Sequence, residues 1–191
     1  MRRFSAFLFG LLIFIGGCSP SAFKATDITG ADFAKGFELT GHDGNRYTLD
    51  SFKGKVVLIF FGFTQCPDVC PSALSRFASV AQELGADADQ VQVLFISVDP
   101  ERDTPELLSQ YVPAFNPRFL GLYGNAETTA RTAKEFKVIY QKQPGKTDST
   151  YTIDHSAGTY VFDKSGRVRL FLRHEAAVED VVHDVRLLLK Q

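Results

Sequence analysis

The spacing of apolar residues changes several times along the chain, and each change marks an element. Residues 56–63 (VVLIFFGF) form a nearly continuous apolar run, the pattern of a strand buried on both faces of a sheet. Residues 91–98 (VQVLFISV) repeat it. Between the two runs, Ala73, Leu74, Phe77, Val80, Ala81 and Leu84 recur at helical spacing, which predicts a helix over 71–84 stopped by Gly85. Upstream, residues 36–49 (GFELTGHDGNRYTL) alternate around His42-Asp43-Gly44-Asn45, a hairpin signal.

Downstream, Thr104 is a capping residue and Pro105 a first helical position, so 104–111 reads as a short helix. Residues 119–123 read as a short strand and 125–136 as a capped helix. Residues 138–141 and 151–153 flank a polar loop, 142–149. A second hairpin joins 159–163 to 168–172 through Lys164-Ser165-Gly166. Val178, Val181, Val182, Val185, Leu188 and Leu189 line one side of a terminal helix over 177–190. Strands alternating with helices, then an antiparallel hairpin, predict an α/β domain with a mixed central sheet. A thioredoxin-like fold with an N-terminal β-hairpin satisfies this order. Its ligands would be expected outside the carboxyl ends of the buried strands.

The first residues break the pattern. Arg2 and Arg3 precede an apolar stretch, 4–15 (FSAFLFGLLIFI), of signal-peptide length and too short to span a bilayer comfortably. It ends in Ile15-Gly16-Gly17-Cys18, which resembles a bacterial lipobox. This predicts a lipoprotein-type signal peptide over 1–17, lipid on Cys18, and a location in the bacterial cell envelope facing the periplasm. The alternative is an ordinary cleaved signal with an incidental cysteine. Ser19-Pro20-Ser21 and the polar residues after it favour a tether over 18–35, leaving a domain over 36–191. Ser19 is not the aspartate that resembles an inner-membrane retention signal, so either membrane remains open.

Composition narrows the function classes. The chain has 191 residues, enough for one well-cored domain, and its net charge of −1 gives no electrostatic footprint for nucleic acid. Of its 3 cysteines, Cys66 and Cys70 remain once Cys18 is assigned to lipid. Outside the cytoplasmic membrane a close pair of cysteines is a disulfide, a redox couple or a metal site. The ring they would close is too short for a staple to stabilise much, which makes a purely structural disulfide the weakest of the three readings.

In Cys66-Pro67-Asp68-Val69-Cys70-Pro71, each cysteine precedes a proline and is pushed out of the α region, so neither is expected inside a helix. Pro71 suits the first helical position, which puts Cys70 near a helix N-terminus, where thiolate is favoured. Pro67-Asp68 is turn chemistry that folds the loop back, so both sulfurs can face one small volume. Two thiolates suit Cu(I), with zinc close behind, and serve equally as a disulfide couple. A third ligand would separate the two. Of the 4 histidines, His42 sits in a hairpin turn, His174 in a surface loop, and His183 on a solvated helix face beside Asp184. His155, in YTIDHSAGTY (151–160), lies between an extended segment and the next strand, where a hydrogen-bonded loop histidine is the plainer reading.

FGFTQCPDVCP (61–71), SVDPERDTP (97–105) and IDHSAGTYVFDKSG (153–166), taken together and in this order, resemble the Sco/SenC family of membrane-anchored copper proteins. That family serves assembly of the CuA centre of cytochrome c oxidase, and the resemblance runs from about residue 37 to the C-terminus. It implies a thioredoxin-like fold and copper, as Cu(I) and Cu(II), held by Cys66, Cys70 and His155. It also implies the CuA-bearing oxidase subunit as partner, with an upstream thiol reductant or copper donor. Asp99, ending the second buried strand, is expected to cap the turn at Pro100, or to support the ligands or dock a partner. Gln65 stands where many relatives have histidine, outside the usual ligand set, and the lipobox replaces a transmembrane anchor. The main expectation is a metallochaperone and not an enzyme. The alternative is a thiol–disulfide oxidoreductase that keeps the oxidase's copper-site cysteines reduced. The chain has no methionine beyond its first residue, which excludes a methionine-rich copper site.

Overall fold

The computed structural model describes residues 23–145 and 150–191; the predicted signal segment and Cys18 lie outside the described residues. In chain order the elements are β1 (Thr26–Asp27), β2 (Glu38–Gly41), β3 (Arg46–Thr48), β4 (Val56–Gly62), α1 (Val69–Leu84), β5 (Val91–Ser97) and α2 (Pro105–Tyr111). They continue with β6 (Leu120–Tyr123), α3 (Ala126–Glu135), β7 (Tyr140–Gln143), β8 (Thr152–His155), β9 (Thr159–Phe162), β10 (Val168–Leu172) and α4 (Val178–Leu189).

The two apolar runs pair with each other at the centre. An eight-stranded sheet has the order β1-β10-β9-β4-β5-β6-β2-β3. β4 runs parallel to β5, and β5 to β6, while the other pairs are antiparallel. Every residue of β4 is buried. Successive strand residues point to opposite faces. Phe60 accordingly meets Phe77 of α1, and Phe61 meets Phe136 at the end of α3. Helices therefore cover both faces, which is why β4 can be apolar throughout. The mixed α/β architecture is the expected one, with the β2–β3 hairpin at one edge.

The predicted caps are present. Thr104 Oγ1 accepts from Leu107 N at 3.2 Å, and Asn125 Oδ1 accepts from Thr128 N at 2.8 Å. No helix among the described residues is long and apolar enough to cross a membrane.

Three expectations differ from the structure. The tether was expected to run to residue 35, but from Phe23 onward the chain is packed. β1 pairs with β10, the Asp184 carboxylate accepts from Lys24 N and Ala25 N, and Ala34 is buried. Phe23, Ile28 and Phe33 pack against the core, isolated apolar anchors among polar residues that a periodicity reading passes over. Second, α1 begins at Val69, so Cys70 lies inside its first turn. Pro71 is tolerated there because first-turn N–H groups have no intrahelical acceptor. Third, the segments around the polar loop pair as a separate two-stranded sheet, Tyr140 opposite His155 and Gln143 opposite Thr152. His155 therefore ends a strand. The pattern was weak because Ile139 is exposed and Ile153 is the one buried residue of β8.

Candidate metal centre

β4 delivers the chain to the site. After Gly62 the chain turns, with Cys66 N donating to the Phe63 carbonyl at 3.2 Å, and enters α1. The Cys70 sulfur lies over Gly62, where a Cβ would stand 2.8 Å from it; only glycine leaves that space. Cys70 is buried, Cys66 is half-buried, and neither is held in a disulfide. Cys66 Sγ accepts from Cys70 N at 3.4 Å. The Cys70 thiol also donates to that sulfur, and with the N–H groups of Asp68 and Cys70 it holds Cys66 down at about 5, against the pull of burial. The same bond, and then burial, push Cys70 far above the ordinary thiol range. Of the pair, Cys66 is the readier thiolate and Cys70 the one that keeps its proton longer.

His155 completes the group from β8. Its Nε2 lies 3.5 Å from Cys70 Sγ, and its Nδ1 lies 3.1 Å from the Ser156 carbonyl oxygen. A carbonyl only accepts, so Nδ1 carries a proton there, and Nε2 is the ring atom turned toward the sulfurs. Phe60 and Phe63 meet the ring edge-on, at centroid distances of 6.0 and 5.9 Å. The donor atoms of Cys66, Cys70 and His155 all lie within 4.8 Å of one another. Two sulfurs and an imidazole nitrogen form a soft donor set that fits Cu(I) or zinc.

The other histidines are placed elsewhere. His42 is not simply solvated: its Nδ1 accepts from Gly121 N at 3.0 Å, and burial lowers its pKa. His183 is half-buried, with Nδ1 2.9 Å from Asp184 Oδ1. His174 is half-buried in the turn after β10, and its Nδ1 is buried, more enclosed than a surface loop suggested.

Asp99 is fully buried, which removes it from any surface a partner could touch. Its backbone carbonyl closes the turn by accepting from Arg102 N and Asp103 N. Its carboxylate accepts from Arg102 Nε at 2.5 Å and from Tyr151 OH at 2.6 Å. Asp103 was not singled out from the sequence, yet it fastens the cysteine loop to β5. It accepts from Thr64 Oγ1 and from Ser97 Oγ, each at 2.6 Å. Both Arg102 and Asp103 belong to SVDPERDTP, and its position at the carboxyl end of β5 was the available signal.

Comparison with known proteins agrees with this layout. The family described as SCO1/SenC matches residues 25–190. The chain belongs to the SCO1/SenC family. A SCO2-like protein of Rickettsia prowazekii is 39% identical over 139 residues, covering 72% of this chain and 66% of that protein. This chain thus spans just under two thirds of that relative. The structure of Bradyrhizobium japonicum ScoI with copper bound superposes with a TM-score of 0.74 at 40% identity, covering 79% of this chain and 96% of that one. Solution structures of apo Sco1 from Thermus thermophilus give 0.80 at 40% identity, over 91% and 100%. The fold is the thioredoxin-like one of these SCO1/SenC proteins, as the element order predicted.

Proposed function

We propose that this SCO1/SenC protein binds copper between Cys66, Cys70 and His155 and passes it to the CuA-bearing subunit of cytochrome c oxidase. The observation that carries this reading is the convergence of two sulfurs and one imidazole nitrogen within 4.8 Å. Thiolates suit Cu(I), and the imidazole adds a harder donor with which the same residues can hold Cu(II). Cys66 and His155 are half-buried, within reach of a client's ligands, as ligand exchange requires. The copper bound by the Bradyrhizobium relative supports the same metal here. Delivery needs both cysteines reduced, which calls for an upstream thiol reductant as well as a copper donor. In this reading Cys18 carries lipid, and the domain faces the periplasm from the membrane of a bacterial envelope.

A second reading, a thiol–disulfide oxidoreductase, is favoured by the asymmetry of the pair. Cys66 is the more exposed and the readier thiolate, while Cys70 is buried and protonated. Cys66 would attack a client disulfide, forming a mixed disulfide and releasing one client thiolate. Cys70, losing its proton, would then attack Cys66 Sγ, releasing the second client thiol and leaving a Cys66–Cys70 disulfide. The client gains two electrons, and an upstream dithiol must return them.

Anaerobic copper titration of the reduced protein separates the readings. The copper reading expects one copper per chain and a thiolate-to-Cu(II) charge-transfer band. No band, together with strong activity on a disulfide substrate, would replace it with the oxidoreductase.

A further inference from the structure

The ribbon β7–β8 bears His155 but is not part of the eight-stranded sheet. A two-stranded ribbon alone is marginally stable in water. The position of His155 relative to the sulfurs therefore depends on what fastens the ribbon to the domain. One guanidinium stands at that junction. Arg102 Nε donates to Asp99 Oδ2 at the end of β5. Its Nη1 donates to the Tyr151 carbonyl, just before β8, at 2.7 Å, and to Gln65 Oε1, beside Cys66, at 3.2 Å. The same group stacks 3.5 Å from the Tyr151 ring centroid, and Tyr151 OH closes the circuit by donating to Asp99 Oδ1.

We infer that Arg102 is a positioning residue for the site: it locks the His155 ribbon and the cysteine loop to the end of β5, so that the imidazole meets the two sulfurs. The inference rests on the copper reading for its consequence, not for its geometry. A buried ion pair is weak evidence for stability, because a well-packed apolar substitute is often as good. Side-chain exposures of 13% for Arg102 and 0% for Asp99 thus point to a role other than raw stability. What an apolar group cannot do is register three chain segments at once. A planar fork of fixed donors can, whereas a lysine ammonium on its flexible stem cannot hold all three directions together. Gln65 gains a role in this arrangement, since its side-chain oxygen accepts from the cation beside the cysteine loop.

The test begins with the metal-free reduced protein, using amide hydrogen exchange. Arg102→Met should raise exchange across Thr152–His155 by about tenfold or more, the scale of a lost charged hydrogen bond, with β4 protection unchanged. Tyr151→Phe, a milder change, should raise it less, and Arg102→Lys should fall between. Unchanged β8 protection in Arg102→Met, or equal loosening of β4 and β8, would overturn the inference. If Arg102→Met does not fold, Tyr151→Phe decides, and unchanged β8 exchange there counts against the latch.

A second arm measures Cu(I) affinity by chelator competition. Arg102→Met should weaken binding in the wild-type background and add nothing in a His155→Ala background, the non-additivity of residues acting through one another. An equal loss in both backgrounds would show that Arg102 does not act through His155. If His155→Ala alone binds copper like wild type, the copper reading fails, while the exchange arm still judges the latch.

Discussion

The cysteines and the histidine reach the same point from supports of different strength. Cys66 and Cys70 follow β4, which is paired on both sides, by β5 and β9, and buried along its whole length. His155 ends β8, which pairs with β7 alone and buries only Ile153. The two sulfurs thus follow directly from a fully buried strand paired on both sides, and the imidazole sits on a ribbon whose strands pair only with each other. For the copper delivery proposed above, which must both hold and release the metal, such a division would let the thiols keep their geometry while the third donor moves at the cost of a few polar contacts.

The largest effect on both supports is expected at the wall they share. Phe60 is fully buried, packs on Phe77 and Phe95, and touches the His155 ring. Phe60→Ala should cost about 3–5 kcal/mol, read as a lowered urea midpoint, and should loosen both supports together. Gly62→Ala is expected to cost less, about 1–3 kcal/mol, because the new methyl meets Cys70 Sγ and Phe95 Cε2, each at 2.8 Å. Its damage should fall on the cysteine side: altered thiol reactivity with β8 exchange preserved. A Gly62→Ala protein with wild-type stability and thiol reactivity would mean that the sulfur is not tightly seated on β4.

The smallest perturbation changes only protons. Cys66 is held at about 5, so the rate of iodoacetamide alkylation in the metal-free protein should stay flat through neutral pH. Above that value Cys66 is thiolate and reactive; below it the sulfur is protonated and the rate falls. An ordinary cysteine would already lose rate below about 8.5, and that profile here would remove the Cys70 thiol as a donor to Cys66.

The sequence made one support far more legible than the other. The runs 56–63 and 91–98 announce β4 and β5 because burial on both faces leaves no polar position to obscure them. The caps Thr104 and Asn125 were readable because capping is local chemistry. β7 and β8 were not readable as a pair, since they are joined by their backbone ladder and polar contacts such as Ser156 N to Ile139 O, with little apolar patterning to announce them. The packing of residues 23–35 was missed for the same reason, resting on Asp184, distant in sequence, and on scattered apolar anchors. Of the candidate donors, Cys66 and Cys70 follow from spacing, whereas His155 stood out only through a three-motif resemblance. The motif position of Arg102 was legible but its role was not, because its partners Gln65, Asp99 and Tyr151 lie in three separate stretches.

The claim that the ribbon supplies the third donor is tested most directly by His155→Ala, comparing Cu(II) affinity with the reduction potential of the Cys66–Cys70 pair. Cu(II) binding should be sharply weaker in that variant, with the dithiol chemistry largely intact. Wild-type copper affinity in that variant would contradict it.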